Sequence, residues 1–522
     1  VRRSGEAVVV AARRFTRRGA LKAGAAGAAA VGLSACGDEY EPTGAVSSDA
    51  PNVILVVLDS TRADYIGAYN PDALARTRNI DALARRSLKF ELAIPEAMPT
   101  GLVRRTLLTG MRSFPNRDWV LSPPMPAEVG WTRPLPHQQL ITEVLGQAGV
   151  ATAYVTDNPF IVGPRYLDFR RTLDIGRPDF SQGAYRAFNS PFRRPAPRSA
   201  IEKYLMPALS DSVEVRRLQD YVGWNSMYRV GERNYSAARV MRGGMDALDD
   251  LKDRQPFFLG VDSFDPHEPF DAPPVYVREI EGQPKGIQRD RGILPIQPFL
   301  TPASRLDKVD IDAETLQLIR ELYAAELTFV DVWLGKLLNK LDDLGLSDNT
   351  VVYLVADHGL TLGEHGIIGK STPRPYREIH HIPYMIHDPT GRMAGKTSRY
   401  FASTHDVART ILSFQGVRAP GAMNGEDLSV LFDGREPPPR PYYTSCYQET
   451  WICGDYEWLM ISTPDGSRRE LYDLVADPGN TRDVAATAPG AREKIDELWA
   501  VLVNEAGGTL PVFHDHIGVV GG

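Results

Sequence analysis

Five short apolar runs, each rich in β-branched residues, limit what this chain can fold into. The first, residues 52–58, reads Asn52-Val53-Ile54-Leu55-Val56-Val57-Leu58, and similar runs recur at 150–155, 257–261, 351–356 and 382–386. A strand with one wet face alternates apolar and polar residues, so a run without alternation belongs to a strand covered on both faces. Helical patterns fill the intervals at 140–148, 235–251 and 313–344. Strands and helices alternating in this way predict an α/β domain whose mixed, mostly parallel sheet is covered by helices on both faces. Past Pro437-Pro438-Pro439 the pattern changes to short alternating strands at 442–447, 456–462 and 470–473, then a closing helix at about 489–505. That is a small C-terminal antiparallel α+β subdomain, spanning 437–510 with a tail at 511–522.

At 522 residues the chain exceeds the size at which one core stops growing, so an enlarged α/β domain at 51–436 plus the small subdomain is the expected division. Two stretches lack periodicity: 163–234, rich in Arg, Pro, Ser and aromatic residues, and the Pro-rich 271–311. The first reads as an insertion over one end of the sheet. Hydrophobic residues at 43% and charged residues at 24% exclude a chain disordered throughout. A net charge of −7 argues against nucleic acid as a partner.

The strand ends carry the chemistry. Ligands of open α/β sheets bind beyond the carboxyl ends of the strands. Here 52–58 runs into Asp59, 351–356 into Asp357-His358, and 150–155 into Thr156-Asp157-Asn158; 257–261 is followed by Asp262-Ser263-Phe264-Asp265-Pro266-His267-Glu268-Pro269. Acids gathered at one rim repel one another unless a cation lies between them, so a metal is the economical explanation.

Residues 52–70 (NVILVVLDSTRADYIGAYN) resemble the opening metal motif of sulfatases and their relatives in the alkaline phosphatase superfamily. Residues 98–110, closing in LLTG, resemble the nucleophile segment; 351–370 (VVYLVADHGLTLGEHGIIGK) resemble the second metal motif, and 256–269 the substrate-histidine motif. Landmarks at 404–428 and 470–483 extend the similarity to about residue 485. The resemblance implies an alkaline-phosphatase-like fold with Asp59, Thr100, Asp357 and His358 around one divalent metal. Thr100 would be the nucleophile, at a helix N-terminus that favours an anion. Arg104, one turn on, would hold nucleophile and ester oxygen. Lys370 would neutralise the transferred group, and His267 would bind substrate or protonate the leaving oxygen. Asn158 joins Arg104, His267 and Lys370 as a substrate-binding candidate.

Three positions depart from the sulfatase pattern. The segment Thr100-Gly101-Leu102-Val103-Arg104 lacks the cysteine that sulfatases oxidise to formylglycine, so Thr100 must act as a plain alkoxide. That favours phosphate or phosphonate esters over sulfate. Ser60 stands where many sulfatases have a second ligand aspartate, and His358 where they have asparagine. Three oxygens and one imidazole suit Mn²⁺ or Zn²⁺ better than Ca²⁺, which stays open. Asp262, His267, His365, His380 and His381 are candidates for a second metal. The resemblance leaves two rivals to hydrolysis: an envelope phosphotransferase similar to lipoteichoic acid synthases, and a silent binder of anionic glycans, for which Arg193, Arg194 and Arg198 offer a basic patch.

Residues 1–36 carry six Arg and one Lys against one Glu, +6 of the whole-chain −7, which leaves −13 on the rest. Thr16-Arg17-Arg18 ahead of an Ala/Gly-rich run resembles a twin-arginine signal, and Leu33-Ser34-Ala35-Cys36 a lipobox. The expectation is an extracytoplasmic lipoprotein of the bacterial envelope, tethered through Cys36 and a linker at 37–50, acting on a small-molecule, glycan or lipid ester. Cys446 and Cys453 form a disulfide or remain two buried thiols; spacing does not decide.

Overall fold

The structure, a computed structural model, describes residues 46–119, 129, 132, 134–161, 171–179, 195–201, 219–223, 231–280, 312–370 and 374–513. The leader, most of the insertion at 163–234, and 281–311 lie outside the described residues. An eight-stranded sheet forms the centre: β1 (Asn52–Leu58), β2 (Ser87–Phe90), β3 (Ala151–Thr156), β4 (Ile175–Pro178), β5 (Phe257–Ser263), β6 (Thr350–Ala356), β7 (Tyr384–His387) and β8 (Thr397–Ser398). Their order is β8-β2-β7-β6-β1-β5-β3-β4. All run the same way except β7, which is antiparallel to β6 and β2. The region expected to be insertion alone therefore contributes an edge strand, β4.

Helices α1 (Arg78–Ala84), α2 (Thr100–Thr109), α3 (Ile141–Gln147), α4 (Ser236–Leu251), α5 (Ala313–Asp343) and α6 (Asp406–Phe414) cover the sheet. The period-2 geometry of β1 divides its side chains between two cores. Ile54, Val56 and Leu58 pack with α1, α4 and α5; Val53, Leu55 and Val57 pack with α2, α3 and α6. Both faces are dry, which is why the strand reads as a continuous apolar run. No helix among the described residues is long and apolar enough to cross a membrane.

Strands β9 (Tyr443–Tyr447), β10 (Thr450–Gly454), β11 (Trp458–Ser462) and β12 (Arg469–Asp473) form the C-terminal antiparallel sheet, backed by α7 (Ala491–Glu505). Strand β10 is not among those expected from the sequence, because its apolar run Trp451-Ile452-Cys453 does not alternate and follows directly on the tight turn after β9. The core of this unit is shared: Trp451, Met460, Leu498 and Leu502 pack with Ala97, Leu102, Phe114 and Trp119 of the larger domain. The Met98 N–H donates to the Cys446 carbonyl at 2.9 Å, and the Ser445 hydroxyl donates to the Pro95 carbonyl. The segment leading into α2 is thus bonded to β9. Cys446 and Cys453 are free and buried, and they face Trp451 and Thr444 across the hairpin rather than each other, so the disulfide alternative is not formed. Burial pushes both thiols up, leaving them unreactive.

Two histidines in these cores give the fold an acid limit. Burial pushes His380 down to about 4 and His405 to about 3. Above the usual histidine value of about 6.5 both states are neutral; below it the unfolded chain takes up protons that the folded chain refuses. Stability is therefore expected to fall as pH drops, by about 2 kcal/mol per histidine between pH 6.5 and 5. Urea unfolding at pH 7.5 and 5 checks this, and a slope unchanged in His380→Gln and His405→Gln would contradict it.

Candidate active site and metal centre

The register of the central strands builds the site. Leu58 lies beside Ser263 on one side and Ala356 on the other, so Asp59 and Asp357 leave the sheet next to each other, with Asp262 opposite Val57. All three carboxylates are fully buried. Oxygens of Asp59 and Asp357 and a ring nitrogen of His358 lie within 4.8 Å of one another, the only such trio of acid, histidine or cysteine side chains among the described residues. The His358 Nδ1–H donates to the Gly359 carbonyl at 2.9 Å, which leaves the lone pair on Nε2. Burial holds this imidazole neutral, down to about 4.

Thr100 is the first residue of α2, a ten-residue helix ended by Gly110 in the left-handed conformation. Its Oγ1 lies 3.0 Å from His358 Nε2, the nitrogen that faces the trio. The exposed N–H groups and the dipole of α2 favour negative charge at this point.

Arg104 is fully buried, and its hydrogen bonds and ion pairs go to carboxylates. Nη1 contacts Asp59 Oδ2 at 3.1 Å and bonds Asp357 Oδ2; Nη2 and Nε reach the two oxygens of Asp262 at 2.7 and 3.3 Å. The guanidinium binds the three acids together rather than reaching towards Thr100. Burial opposes charge on both trio carboxyls. Arg104, with His358 and Lys370 behind it, overrides this at Asp357 and holds it below the usual range, whereas burial and the Asp357 charge keep Asp59 well above it. Lys370 Nζ donates to Ser60 Oγ at 2.9 Å and sits 3.9 Å from Asp59 Oδ1. Counted with Asp59 ionised, as a bound cation would make it, three carboxylates against two cations leave one net negative charge. A divalent ion on Asp59, Asp357 and His358 would reverse it to positive, the sign an anionic ester needs, so the donor set fits such an ion.

The remaining candidates separate. Asn158 donates to Asp59 Oδ2 at 3.4 Å and accepts from the Phe160 N–H at 3.0 Å, so it braces a carboxylate. His267 is stacked on Phe264, with Nδ1–H donating to the Glu268 carbonyl at 2.7 Å; burial and the Lys370 charge hold it well below its usual range. A neutral ring with its proton on Nδ1 presents a hydrogen-bond acceptor at Nε2. Of the second-metal candidates, Asp262 is taken by Arg104. His365 stacks on Tyr376 and faces Glu378, His380 faces the Pro375 carbonyl, and His381 faces the Glu91 carbonyl. They do not converge on the trio. Arg198 is exposed; Arg193 and Arg194 lie outside the described residues.

Two contributors escape a reading of the sequence. Tyr154 Oη donates to Asp262 Oδ2 at 3.1 Å from within β3. Its ring lies across Gly260 of β5, where an added Cβ would come within 2.2 Å of it. A lone glycine in a buried strand marks such a close approach, and that is the available signal. Glu268 is buried with both carboxyl oxygens lacking a hydrogen bond, and burial raises it while Lys370 lowers it.

The comparisons agree with this geometry. A family profile described as Sulfatase matches residues 51–417. An arylsulfatase of Clostridium perfringens is 23% identical over 478 residues, covering 88% of this chain and 95% of that protein. The multifunctional alkaline phosphatase superfamily protein PehA of Trinickia caryophylli is 24% identical, covering 80% and 82%. The crystal structure of a phosphonate monoester hydrolase of Agrobacterium radiobacter superimposes with a TM-score of 0.64 at 19% identity, over 88% of this chain and 96% of that one. With the profile spanning well over half its length and Asp59, Asp357 and His358 gathered at one rim of the sheet, the chain belongs to the sulfatase family of the alkaline phosphatase superfamily.

Proposed function

We propose that this protein hydrolyses phosphate or phosphonate esters in preference to sulfate esters, with Thr100 as nucleophile. The observation that carries the reading is the Thr100 hydroxyl at the head of α2, 3.0 Å from His358 Nε2 at the edge of the Asp59, Asp357 and His358 trio. A divalent ion held by those three residues would lower the pKa of the alcohol and neutralise developing charge. The chain's own groups do the rest. The Nε2 lone pair of His358 serves either the Thr100 hydroxyl or the ion, so with the ion held there the hydroxyl proton is released to leave. The Thr100 hydroxyl proton passes to solvent as Oγ attacks phosphorus, forming a P–O bond while the bond to the leaving oxygen breaks, and Lys370 Nζ supplies that oxygen with a proton. Water then attacks phosphorus and breaks the P–O bond to Thr100, its two protons returning to the Thr100 oxygen and to Lys370 Nζ. His267 Nε2 accepts a hydrogen bond from substrate.

A sulfated threonine has no aldehyde hydrate through which to eliminate sulfate, whereas a phosphoryl or phosphonyl threonine is open to water. The chain is similar both to an arylsulfatase and to a phosphonate monoester hydrolase, so substrate choice rests on this residue. We further place the protein outside the cytoplasm on a lipid at Cys36, from the order of basic, apolar and lipobox-like signals in 1–36.

The test is a panel of 4-nitrophenyl sulfate, 4-nitrophenyl phosphate, bis(4-nitrophenyl) phosphate and 4-nitrophenyl phenylphosphonate, assayed after chelation and reloading with Mn²⁺, Zn²⁺ or Ca²⁺. A phosphorus ester is expected to lead the sulfate by about tenfold or more in kcat/KM, with activity lost on chelation. A sulfate preference, or full activity without metal, overturns the reading. Added methanol that captures the product would move it towards transfer.

A further inference from the structure

Ser60 has a geometry that its departure from the sulfatase pattern does not explain. It is fully buried and has φ +56°, a left-handed conformation unusual for serine. In that conformation each of its polar groups finds a partner in the site. Its hydroxyl donates to Asp59 Oδ1 at 2.8 Å and accepts from Lys370 Nζ at 2.9 Å. Its N–H donates to Asp357 Oδ1 at 2.8 Å. Its carbonyl accepts from Tyr323 Oη on α5 at 2.9 Å, and the same phenol oxygen accepts from the Arg62 N–H, pinning the turn on both sides.

The consequence concerns Lys370. A lysine ammonium beside a buried carboxylate is drawn into direct contact unless another acceptor holds it. Here the ammonium is 3.9 Å from Asp59 Oδ1 and spends its close contact on the Ser60 oxygen, which bridges to the same carboxylate oxygen. We propose that Ser60 is a positioning residue that holds Lys370 off Asp59, keeping that carboxylate free for the divalent cation and the ammonium free for the ester. This rests on the reading of Asp59, Asp357 and His358 as a cation site. Without the hydroxyl, Lys370 closes on Asp59 and competes with the metal for its charge. Glycine suits the backbone angle better than serine and alanine suits it worse, yet both lack the bridging oxygen.

Calorimetric titration of Mn²⁺ into chelated, dialysed protein reads this without any substrate. Ser60→Ala is expected to weaken Mn²⁺ binding about tenfold, the scale on which outer partners of metal ligands act. Ser60→Gly is expected to weaken it equally, although its backbone is relaxed. Lys370→Met should tighten binding by about threefold when Ser60 is present but by more than tenfold when combined with Ser60→Ala, because only there does the ammonium sit on Asp59. Equal factors in both backgrounds, or wild-type affinity in Ser60→Ala, would overturn the role of Ser60 and leave the cation site standing. Should Ser60→Ala fail to fold, Ser60→Gly completes the same cycle. Wild-type protein that binds none of Mn²⁺, Zn²⁺ and Ca²⁺ would overturn the site and this proposal together.

Discussion

Thr100→Ala is expected to lower kcat/KM by roughly 10⁴-fold or more, the scale on which loss of a covalent nucleophile acts. The fold should survive, because the change removes one buried hydroxyl and one methyl group, each contributing about 1 kcal/mol. Metal content should also survive, since Asp59, Asp357 and His358 are untouched. Thr100→Ser is the informative partner. It keeps an alcohol at the head of α2 while removing a methyl group, and is expected to retain activity within roughly 100-fold of wild type. Steady-state kinetics with the best ester of the panel, together with elemental analysis, separates the outcomes. Alanine and serine variants of equal activity would remove Thr100 from the nucleophile role.

Removal of Arg104 is expected to have the largest effect on stability. Its guanidinium is the shared partner of Asp59, Asp262 and Asp357, all fully buried. Arg104→Met would leave those carboxylates facing one another with Lys370 as the remaining nearby cation. Breaking a buried pair by deleting one partner costs about 3–5 kcal/mol, and three dependants place this case at the upper end. Arg104→Lys keeps the charge but loses the planar fork, so an intermediate loss is expected. Adding Asp262→Asn to Arg104→Met should recover part of the stability, because one uncompensated charge disappears. Urea denaturation of the three variants checks the order. Wild-type stability in Arg104→Met would mean that the carboxylates share protons instead.

Much of this is legible in the sequence because the strands are buried on both faces. The runs at 52–58, 150–155, 257–261 and 351–356 each form a central strand within a residue or two, and the acids beyond them converge as strand-end chemistry requires. Tertiary partnership is harder to read. In the sequence Arg104 looks like a reagent aimed at Thr100, since a helical spacing of four says which residues share a face but not what lies across from it. Only the register of three strands reveals that it faces carboxylates. Tyr154 is hidden for a similar reason: an aromatic residue in an apolar strand looks like core until the glycine beneath it and the aspartate beyond its hydroxyl are seen together. Strand β10 is as long as its neighbours, but its apolar run Trp451-Ile452-Cys453 has no alternation to mark it.

The shared core between the C-terminal sheet and the approach to α2 has a consequence for how this protein can vary. Met98, two residues before Thr100, is bonded to Cys446, so the position of the Thr100 hydroxyl is partly inherited from a hairpin that supplies none of the residues of the metal-site trio. The boundary suggested by Pro437-Pro438-Pro439 is therefore not a line along which the enzyme can be divided or its tail exchanged for another. Both strands of that hairpin are buried, so drift in either would be felt first as a displaced Thr100 hydroxyl.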